Sequence, residues 1–355
     1  MYTTPMSDQS ATNAVEQPQG QPGRQPAGVA PGQVNASDPP RLVRHEQDLV
    51  SAEFLDAAQL EYLTTRDGAR LRCALWQATA TAPRGTVMIM TGYAEFIEKY
   101  YEVARDLQTM GFAVLCFDWR GQGLSTRAHA ERKGWVENYA TMVDDALEVA
   151  AWLTQQNTPQ PLVGLGHSMG GNVCIRLLQE HHSVFKAAAV VAPMLGLKGL
   201  PNWLLRSLSE AVYGAGMDGS YAPGATDNDP HGPHTPLCSD QFRIDAWRHY
   251  LRCDPWLITH GVTWRWIREA VTSIQLIIQP ANAACITTPL LVANPLQDSL
   301  VDPVPTQRFC DNCDAATLFS VADSEHELLQ ERDELRNQFF RSFDTFMHDH
   351  AQPAS

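Results

Sequence analysis

The sequence predicts an α/β fold: a mostly parallel, doubly wound sheet with a helical cap inserted late in the chain. Five short, continuously apolar runs are typical of strands that are covered on both faces. Helical patterns alternate with these runs, which is the order expected for a right-handed parallel sheet. The alternation stops after Ala192 and resumes only at Pro289, which indicates an insertion.

The predicted sheet begins with a hairpin and continues with buried strands. In residues 60–77, two β-rich runs flank Asp67-Gly68, a signal for a two-residue turn, so we expect an antiparallel start. The apolar runs predict strands at 86–90, 113–117, 162–165, 187–191 and 289–293. The helical patterns between them lie at 100–110, 139–156 and 172–182.

Residues 192–281 are predicted to form the helical cap, over the carboxyl edge of the sheet. Helical patterns at 202–213, 240–252 and 263–274 are interrupted by a loop rich in Gly, Pro and Asp. Residues 46–191 and 282–348 would then form the core domain. Residues 1–45 are rich in Gln, Pro and Gly and have almost no large apolar side chains, so we expect a disordered tail.

Composition argues against several classes of protein. Asp and Glu number 40 against 26 Lys and Arg, a net charge of −14, which disfavours a nucleic-acid partner because phosphate binding needs clustered basic residues. No run has the length of an apolar membrane span, and the first ten residues lack a secretory pattern, so we expect a cytoplasmic protein. The eight cysteines show no framework spacing and are expected to be reduced. We expect no metal and no cofactor.

A nucleophile-elbow pattern lies between the predicted strand at 162–165 and the helix that follows. It reads GHSMGG, residues 166–171. The serine of such a turn is strained and exposed at the top of the sheet, and the glycines let strand and helix approach closely. Ser168 is therefore the candidate nucleophile, and the Met169 N–H, at a helix N-terminus, is a candidate oxyanion donor. A chance Gly-x-Ser-x-Gly is the alternative, which the strand and helix flanks disfavour.

A serine nucleophile needs a histidine base and a carboxylate, and in this arrangement the histidine comes last in the chain. His326 follows the final β-like run, 316–319, in a loop that leads into a helix, so it is the candidate base. The acid should follow the preceding strand, where Asp298 and Asp302 are both available. We favour Asp298, which lies in the first loop, because Asp302 precedes Pro303 as a helix cap would.

A second oxyanion donor is expected in the loop after strand 86–90, which reads TGYAE. The candidate is the N–H of Tyr93, and the alternative is that Gly92 only ends the strand. Loss of one such donor typically lowers the rate about a hundredfold to a thousandfold.

Taken together, these segments resemble α/β-hydrolases of the monoacylglycerol lipase and lysophospholipase L2 group. The resemblance spans nearly all of the chain after the tail and is carried by TGYAEFIEKYYEVARDLQTMGFAVLCFDWRGQGLS, GHSMGGNV, GVTWRWIREA, QDSLVDP and SEHELLQERDELR. It implies the α/β-hydrolase fold and hydrolysis of a lipid-like carboxylic ester through an acyl-enzyme. It also implies that residues 117–125 form a structural loop, and that Glu95 lies near the glycerol-binding end of the site. The alternative for Glu95 is a solvated or ion-paired carboxylate.

The predicted cap supplies the candidate substrate contacts. Its large apolar side chains, Trp203 and Trp264 among them, would line a groove for an acyl chain or, alternatively, form the cap's own core. The resemblance favours a lysophospholipid as the substrate, with a monoacylglycerol next. An exposed apolar patch on the cap would permit peripheral membrane contact, and the oligomeric state stays open.

Two other functions stay open at this point. A serine peptidase similar to proline iminopeptidases would use the same nucleophile and fold, with acidic cap residues such as Asp218 and Asp227 to hold the amino terminus of its substrate. A non-catalytic binding module would keep the hydrolase fold without the reaction. The complete set of candidate catalytic residues disfavours the second alternative.

Overall fold

One eight-stranded sheet organises the part of the chain that the structure describes. The computed structural model describes residues 58–128, 131–227 and 237–352, so the predicted tail, 1–45, lies outside the described residues. The strands are β1 (Gln59–Thr64), β2 (Arg70–Trp76), β3 (Gly85–Met90), β4 (Phe112–Phe117), β5 (Leu162–His167), β6 (Ala187–Val191), β7 (Leu290–Pro295) and β8 (Ala316–Val321). Their order in the sheet is β1-β2-β4-β3-β5-β6-β7-β8.

The sheet is antiparallel only at its beginning. β2 is antiparallel to both β1 and β4, and every other neighbouring pair is parallel, which confirms the predicted fold class. Strands β3 to β7 are buried along their whole length, as expected for apolar strands covered on both faces. The loop of the predicted hairpin runs over residues 65–69 and is therefore longer than the expected two-residue turn. Gly68 in that loop has a φ of 89°, which glycine adopts without strain.

The helices begin and end within three residues of the predicted bounds where a prediction was made. They are α1 (Tyr101–Thr109), α2 (Tyr139–Thr154), α3 (Met169–Glu180), α4 (Asn202–Gly214), α5 (Gln241–Cys253), α6 (Trp264–Ile277), α7 (Pro280–Ala284), α8 (Pro303–Asp311) and α9 (Asp333–His350). Side-chain caps mark several starts: Asn138 accepts from the Thr141 N–H, and Thr263 from the Trp266 N–H. Single 3-10 turns lie at Ile97–Tyr100, Pro255–Leu257 and Leu328–Gln330.

Two apolar cores cover the opposite faces of the sheet. Met88 packs with side chains of α2, α3 and α6, whereas its neighbour Val87 packs with side chains of α1 and α9, because successive strand residues point to opposite faces. Helix α6, from the predicted cap segment, is thus part of one core, and its Ser273 hydroxyl donates to Asn172 Oδ1 of α3 at 2.6 Å. The limits 192–281 of the cap stay a prediction.

Helix α5, from the same segment, is fixed to α1 and α9 by a buried arginine. The Arg243 guanidinium donates to Glu102 of α1 at 2.6 Å and lies 2.9 Å from Asp240 and 2.6 Å from Asp333 of α9. Removing one partner of such a buried ion pair leaves an uncompensated charge, which is strongly destabilising. Helix α5 is therefore held by charge as well as by its apolar side chains.

Candidate active site

Ser168 lies at the turn between β5 and α3. Its φ of 51° and ψ of −112° lie outside the regions that non-glycine residues favour. The neighbouring glycines make the turn possible: a Cβ on Gly166 would lie 2.7 Å from the Gly170 carbonyl oxygen, and one on Gly170 would lie 2.1 Å from that of Met90. The geometry at Ser168 is therefore that of the strained, glycine-flanked turn that the sequence pattern predicts.

Asp298 and His326 lie together at the carboxyl edge of the sheet. Asp298 follows β7 and His326 follows β8, which are parallel neighbours, and both side chains are buried. His326 Nδ1 lies 2.6 Å from Asp298 Oδ2. The other carboxylate oxygen of Asp298 accepts from the N–H groups of Leu300 at 2.7 Å and Val301 at 2.8 Å. The structure thus brings the predicted acid and the predicted base into direct contact.

The surroundings of Asp298 favour its ionised form. Burial acts to raise the pKa of the Asp298 carboxyl, but the hydrogen bond and charge of His326 and the backbone N–H donors outweigh burial, so this pKa lies below its ordinary value of 3.8. An ionised Asp298 favours the His326 tautomer with its proton on Nδ1, which leaves Nε2 able to accept a proton. Asp302, the alternative acid, instead caps α8, where its Oδ1 accepts from the Val304 N–H at 3.0 Å.

The serine and histidine segments meet through His167. Its ring centroid lies 4.9 Å from that of His326, and its Nε2 lies 3.3 Å from the His326 carbonyl oxygen. Among the residues that the structure describes, the Ser168 hydroxyl has no hydrogen-bond partner. Hydrogen bonds between a nucleophile and its base commonly tighten only when substrate binds. The assignment of Ser168, His326 and Asp298 as a catalytic triad therefore stays a prediction.

The loop after β3 leaves one N–H group available at the candidate oxyanion site. The Gly92 N–H donates to Glu95 Oε2, and the Ala94 N–H donates to Gln122 Oε1. The Tyr93 N–H between them has no acceptor within the described ranges of the chain. The Met169 N–H, at the first residue of α3, lies where a helix offers no internal acceptor. Neither N–H group thus has an acceptor within the described residues, and their role as oxyanion donors stays a prediction.

Gln122 contacts both segments that carry these donors. Its Oε1 accepts from the Ala94 N–H, and its Nε2 lies 3.7 Å from Met169 Sδ. The resemblance placed Gln122 in a structural loop, and the sequence pattern holds no signal that links it to Ala94 or Met169. Its amide group fixes the relative position of the two loops, and sequence reasoning missed that contact.

Glu95 lies in a buried cluster of charges behind the serine turn. It is 1% exposed, accepts from Lys99 Nζ at 2.7 Å and from the Tyr100 hydroxyl at 2.6 Å, and lies 3.2 Å from His167 Nδ1. Lys99 also lies 2.5 Å from Glu327. This geometry favours the ion-paired alternative for Glu95. Contact between Glu95 and the substrate stays a prediction. We call Glu95, Lys99, His167 and Glu327 the Glu95 cluster.

The Glu95 cluster balances two carboxylates against two cationic side chains. Burial opposes ionisation, but Lys99 and His167 hold the pKa of Glu95 well below its ordinary value. Burial acts to lower the pKa of His167, but the Glu95 carboxylate outweighs burial. The pKa of His167 therefore lies above its ordinary value of 6.5. The cluster joins the loop of Tyr93, the serine turn and the loop of His326.

A narrow cleft, with no room for a water molecule, lies beside the residues of the two candidate oxyanion donors. Trp266 of α6 forms part of its wall, with its ring centroid 4.9 Å from that of Tyr93. Trp203 is instead 67% exposed on α4, and Trp264 is half-buried at the start of α6, so substrate contacts of these two residues stay predictions. The cleft is lined by Tyr93, Arg120, Gln122, Gly134, Trp135, Val136, Met142, Met169, Thr259 and Trp266.

The described ranges, 58–128, 131–227 and 237–352, also bear on metal binding, membrane crossing and disulfide bonds. No group of three or more His, Cys, Asp or Glu side chains in these ranges is arranged to hold a metal ion. No helix within 58–128, 131–227 or 237–352 combines the length and the apolar character needed to cross a membrane. The cysteine side chains are all free thiols.

The doubly wound sheet, the strained serine turn and the Asp298–His326 pair on the following loops define a serine-hydrolase-type α/β-hydrolase. The chain belongs to the Hydrolase_4 family, described as "Serine aminopeptidase, S33", which it matches over residues 81–333. This match covers most of the sheet and all the candidate catalytic residues.

Individual relatives agree with the group that the sequence resembles. The chain is 31% identical to lysophospholipase L2 of Escherichia coli strain K12 over 291 residues, which are 76% of this chain and 82% of that protein. It is 28% identical to the monoacylglycerol lipase of Mycolicibacterium smegmatis over 246 residues, 68% of this chain and 79% of that protein. The predicted group and the predicted class, a carboxylic ester hydrolase, are confirmed.

A solved structure shares the fold. A soluble variant of the monoglyceride lipase of Saccharomyces cerevisiae, in complex with a substrate analog, superposes with a TM-score of 0.64 at 19% identity. The superposition covers 82% of this chain and 96% of that chain. At this identity the likeness concerns the fold alone.

Proposed function

We propose that this protein is a lysophospholipase that cleaves the carboxylic ester of its substrate through an acyl-enzyme on Ser168. The observation that carries the proposal is the 2.6 Å contact between His326 and Asp298 at the sheet edge that also carries the serine turn. The 31% identity to a lysophospholipase L2 supports a lysophospholipid as the first substrate. A monoacylglycerol is the second candidate, supported by the 28% identity to a monoacylglycerol lipase.

In the first half of the reaction, His326 Nε2 takes the hydroxyl proton of Ser168 while Oγ attacks the ester carbonyl carbon. The N–H groups of Tyr93 and Met169 donate to the carbonyl oxygen as it becomes negative. The bond from the carbonyl carbon to the glycerol oxygen then breaks, and His326 gives the proton to that oxygen. Asp298 stays ionised and stabilises the cationic form of His326.

In the second half, water attacks the acyl carbon and the free fatty acid leaves. His326 takes one proton of the water and returns it to Ser168 Oγ, which restores the starting state. The same two N–H groups stabilise the second oxyanion. The proposal places the acyl chain against Trp266 and Met142, the apolar wall of the narrow cleft, which has to widen to admit it.

The proposal includes contact with a lipid surface, where lysophospholipids gather. Trp203 is 67% exposed on α4, and Leu200, Leu208, Tyr213 and Met217 are exposed on α4 or beside it. Exposed apolar side chains on one element are typical of interaction surfaces, and tryptophan favours the boundary between water and lipid. We therefore infer peripheral attachment through α4.

A fluorophosphonate probe tests the nucleophile directly. The probe should label the wild-type protein but not Ser168→Ala, and His326→Ala should lower ester turnover by three or more orders of magnitude, at roughly the level seen when a triad is broken. Ser207→Ala, a change of an exposed serine on α4, serves as the matched control and should label normally. Labelling of Ser168→Ala would contradict the assignment.

A substrate panel separates the candidate functions. It contains a lysophosphatidylcholine and a monoacylglycerol with the same acyl chain, a short ester, and a proline arylamide. We expect the lysophospholipid to be hydrolysed fastest. Faster turnover of the monoacylglycerol would reverse the substrate order, and preference for the arylamide would favour the peptidase. A folded protein with neither turnover nor labelling would favour the binding module.

A further inference from the structure

Two arginines near the cleft, Arg127 and Arg132, have no carboxylate partner within the part of the chain that the structure describes. Arg127 donates only to neutral oxygens: the carbonyls of Gly121 at 2.8 Å, Gly123 at 2.7 Å and Trp256 at 3.0 Å, and the Thr259 hydroxyl at 3.3 Å. Arg132 donates to the Pro255 carbonyl, and its guanidinium lies 5.4 Å from the Trp256 ring centroid. Within the described residues, neither side chain has an ion pair with an acidic group.

Arg120, in the same loop as Arg127, has carboxylate partners by contrast. Arg120 binds Asp145 at 2.5 Å and Asp67 at 2.7 Å. Acidic residues outnumber basic ones, 40 to 26, so carboxylates are plentiful. Asp227, an acidic side chain of the same region, accepts a hydrogen bond from the Tyr221 hydroxyl instead. A half-buried cation without a counter-charge is destabilising unless an anion binds to it.

The arginine pair is joined to the walls of the cleft. Arg127 binds Thr259, which lines the cleft beside Tyr93 and Met169. The carbonyl oxygen of the next residue, His260, accepts a hydrogen bond from the Tyr93 hydroxyl. The His260 N–H donates to the Arg132 carbonyl oxygen at 2.8 Å. Arg127 is thus joined to the wall of the cleft through its side chain, and Arg132 is joined to the segment of Tyr93 through its main chain.

The local backbone and the charges both point to a ligand. Arg132 has a φ of 56°, a conformation that is unfavourable for a non-glycine residue and that concentrates at functional sites. Burial, and then the positive charge of Arg132, lower the pKa of Arg127 to about 10. The charge of Arg132 thus disfavours the cationic form of Arg127 while the Asp118 carboxylate favours it, and an anion beside the two arginines would relieve the repulsion.

We propose that Arg127 and Arg132 bind the phosphodiester of the substrate head group while the acyl ester lies at Ser168. This inference rests on the proposed lysophospholipase function and names the feature that separates a lysophospholipid from a monoacylglycerol. Arg132 donates one N–H to Pro255 and has others left, so its guanidinium can donate to two phosphate oxygens at once. The four terminal N–H groups of Arg127 already have acceptors, so Arg127 contributes its positive charge. The carbonyl contacts of Arg127 hold its guanidinium in place before the ligand arrives.

The decisive measurement is a ratio of kcat/KM values, for a lysophosphatidylcholine and for a monoacylglycerol of the same acyl chain, below their critical micelle concentrations. Arg132→Gln should lower this ratio about tenfold, since it removes charge-assisted hydrogen bonds to the phosphate. Arg132→Lys keeps the charge and should retain a larger part of the ratio. Arg341→Gln, a change of an exposed arginine on α9, is the matched control and should leave the ratio unchanged.

A second measurement needs no variant. Glycerophosphocholine should inhibit the hydrolysis of a short neutral ester competitively, and glycerol at the same concentration should not. The head-group site would be wrong if the ratio were unchanged in Arg132→Gln or if glycerophosphocholine did not inhibit. The proposed function would still stand in either case, provided that the wild type hydrolyses the lysophospholipid. Hydrolysis of monoacylglycerol alone by the wild type would overturn the proposed function itself, and the head-group site with it.

Discussion

Asp298 and Asp302 are two aspartates in one loop with different partners. The Asp298 side chain contacts His326, whereas the Asp302 side chain accepts from the Val304 N–H at the start of α8. Asp298→Asn should lower kcat by about three to four orders of magnitude, because an amide favours the wrong histidine tautomer and carries no charge. Steady-state kinetics on a short ester at pH 8 would measure this loss.

Asp302→Asn is the matched control for Asp298→Asn. Asparagine is as good an N-cap as aspartate, so this variant should keep both wild-type activity and wild-type stability. If the two variants lost activity equally, the assignment of the acid to Asp298 would be wrong.

His167 should give the stability of the protein a measurable pH dependence. Its pKa in the folded state lies above 6.5, so the stabilisation from its charged form is complete below that pH and is lost as the pH rises through the folded pKa. The free energy of unfolding should therefore fall from pH 6.5 upward. Urea denaturation between pH 5.5 and 9 should show this slope in the wild type and a flatter one in His167→Gln. The exposed His348→Gln should keep the wild-type slope.

At the scale of elements, the Glu95 cluster ties three loops to one another. Lys99→Met should leave two buried carboxylates facing one cation, and removing one partner of a buried pair typically lowers the free energy of unfolding by about 3–5 kcal/mol. We also expect kcat to fall more than KM rises, because the loops of Tyr93 and His326 would shift relative to Ser168.

The double variant Lys99→Met/Glu327→Gln tests whether charge balance is the cause. In this variant the Glu95 carboxylate faces the cationic His167, so the charges of the cluster are balanced. The double variant should therefore recover part of the lost stability and of the lost kcat. Chemical denaturation and steady-state kinetics on the four proteins of this cycle would measure the coupling. A double variant that is less stable than Lys99→Met would show that packing, and not charge, holds the loops.

Strands, helices and the serine turn were predictable because each has a local signal in the sequence. The apolar runs gave the strands, and GHSMGG gave the turn. The Glu95 cluster has no such signal, since Lys99 and Glu327 are 228 positions apart. Trp264 and Trp266 show a second limit: side chains two positions apart on a helix point in different directions, and only packing decides which one reaches the cleft.

At the scale of the whole molecule, the net charge of −14 and the exposed face of α4 together predict which lipid surfaces the protein binds. Zwitterionic vesicles should bind better than anionic ones because the charge repels the latter. Trp203→Ser should weaken binding to zwitterionic vesicles by roughly fivefold to tenfold, since it removes a large apolar contact. Co-sedimentation would measure the difference.

Leu60→Ser is the control for this prediction. Leu60 is also exposed, at 47%, but lies on β1 at the opposite edge of the sheet from β8. Its loss should not alter vesicle binding. Equal weakening by both changes would indicate nonspecific adsorption rather than attachment through α4.

The close approach of Gly170 to the end of β3 has a consequence for control of the enzyme. A Cβ at this glycine would lie 2.1 Å from the Met90 carbonyl oxygen and 2.5 Å from that of Thr91, so backbone rests on backbone with no side chain between them to rearrange. The backbone packing of these two segments thus fixes the distance between the N–H groups of Tyr93 and Met169. We expect any effector of this enzyme to act by admitting or excluding substrate, and never by resetting that spacing.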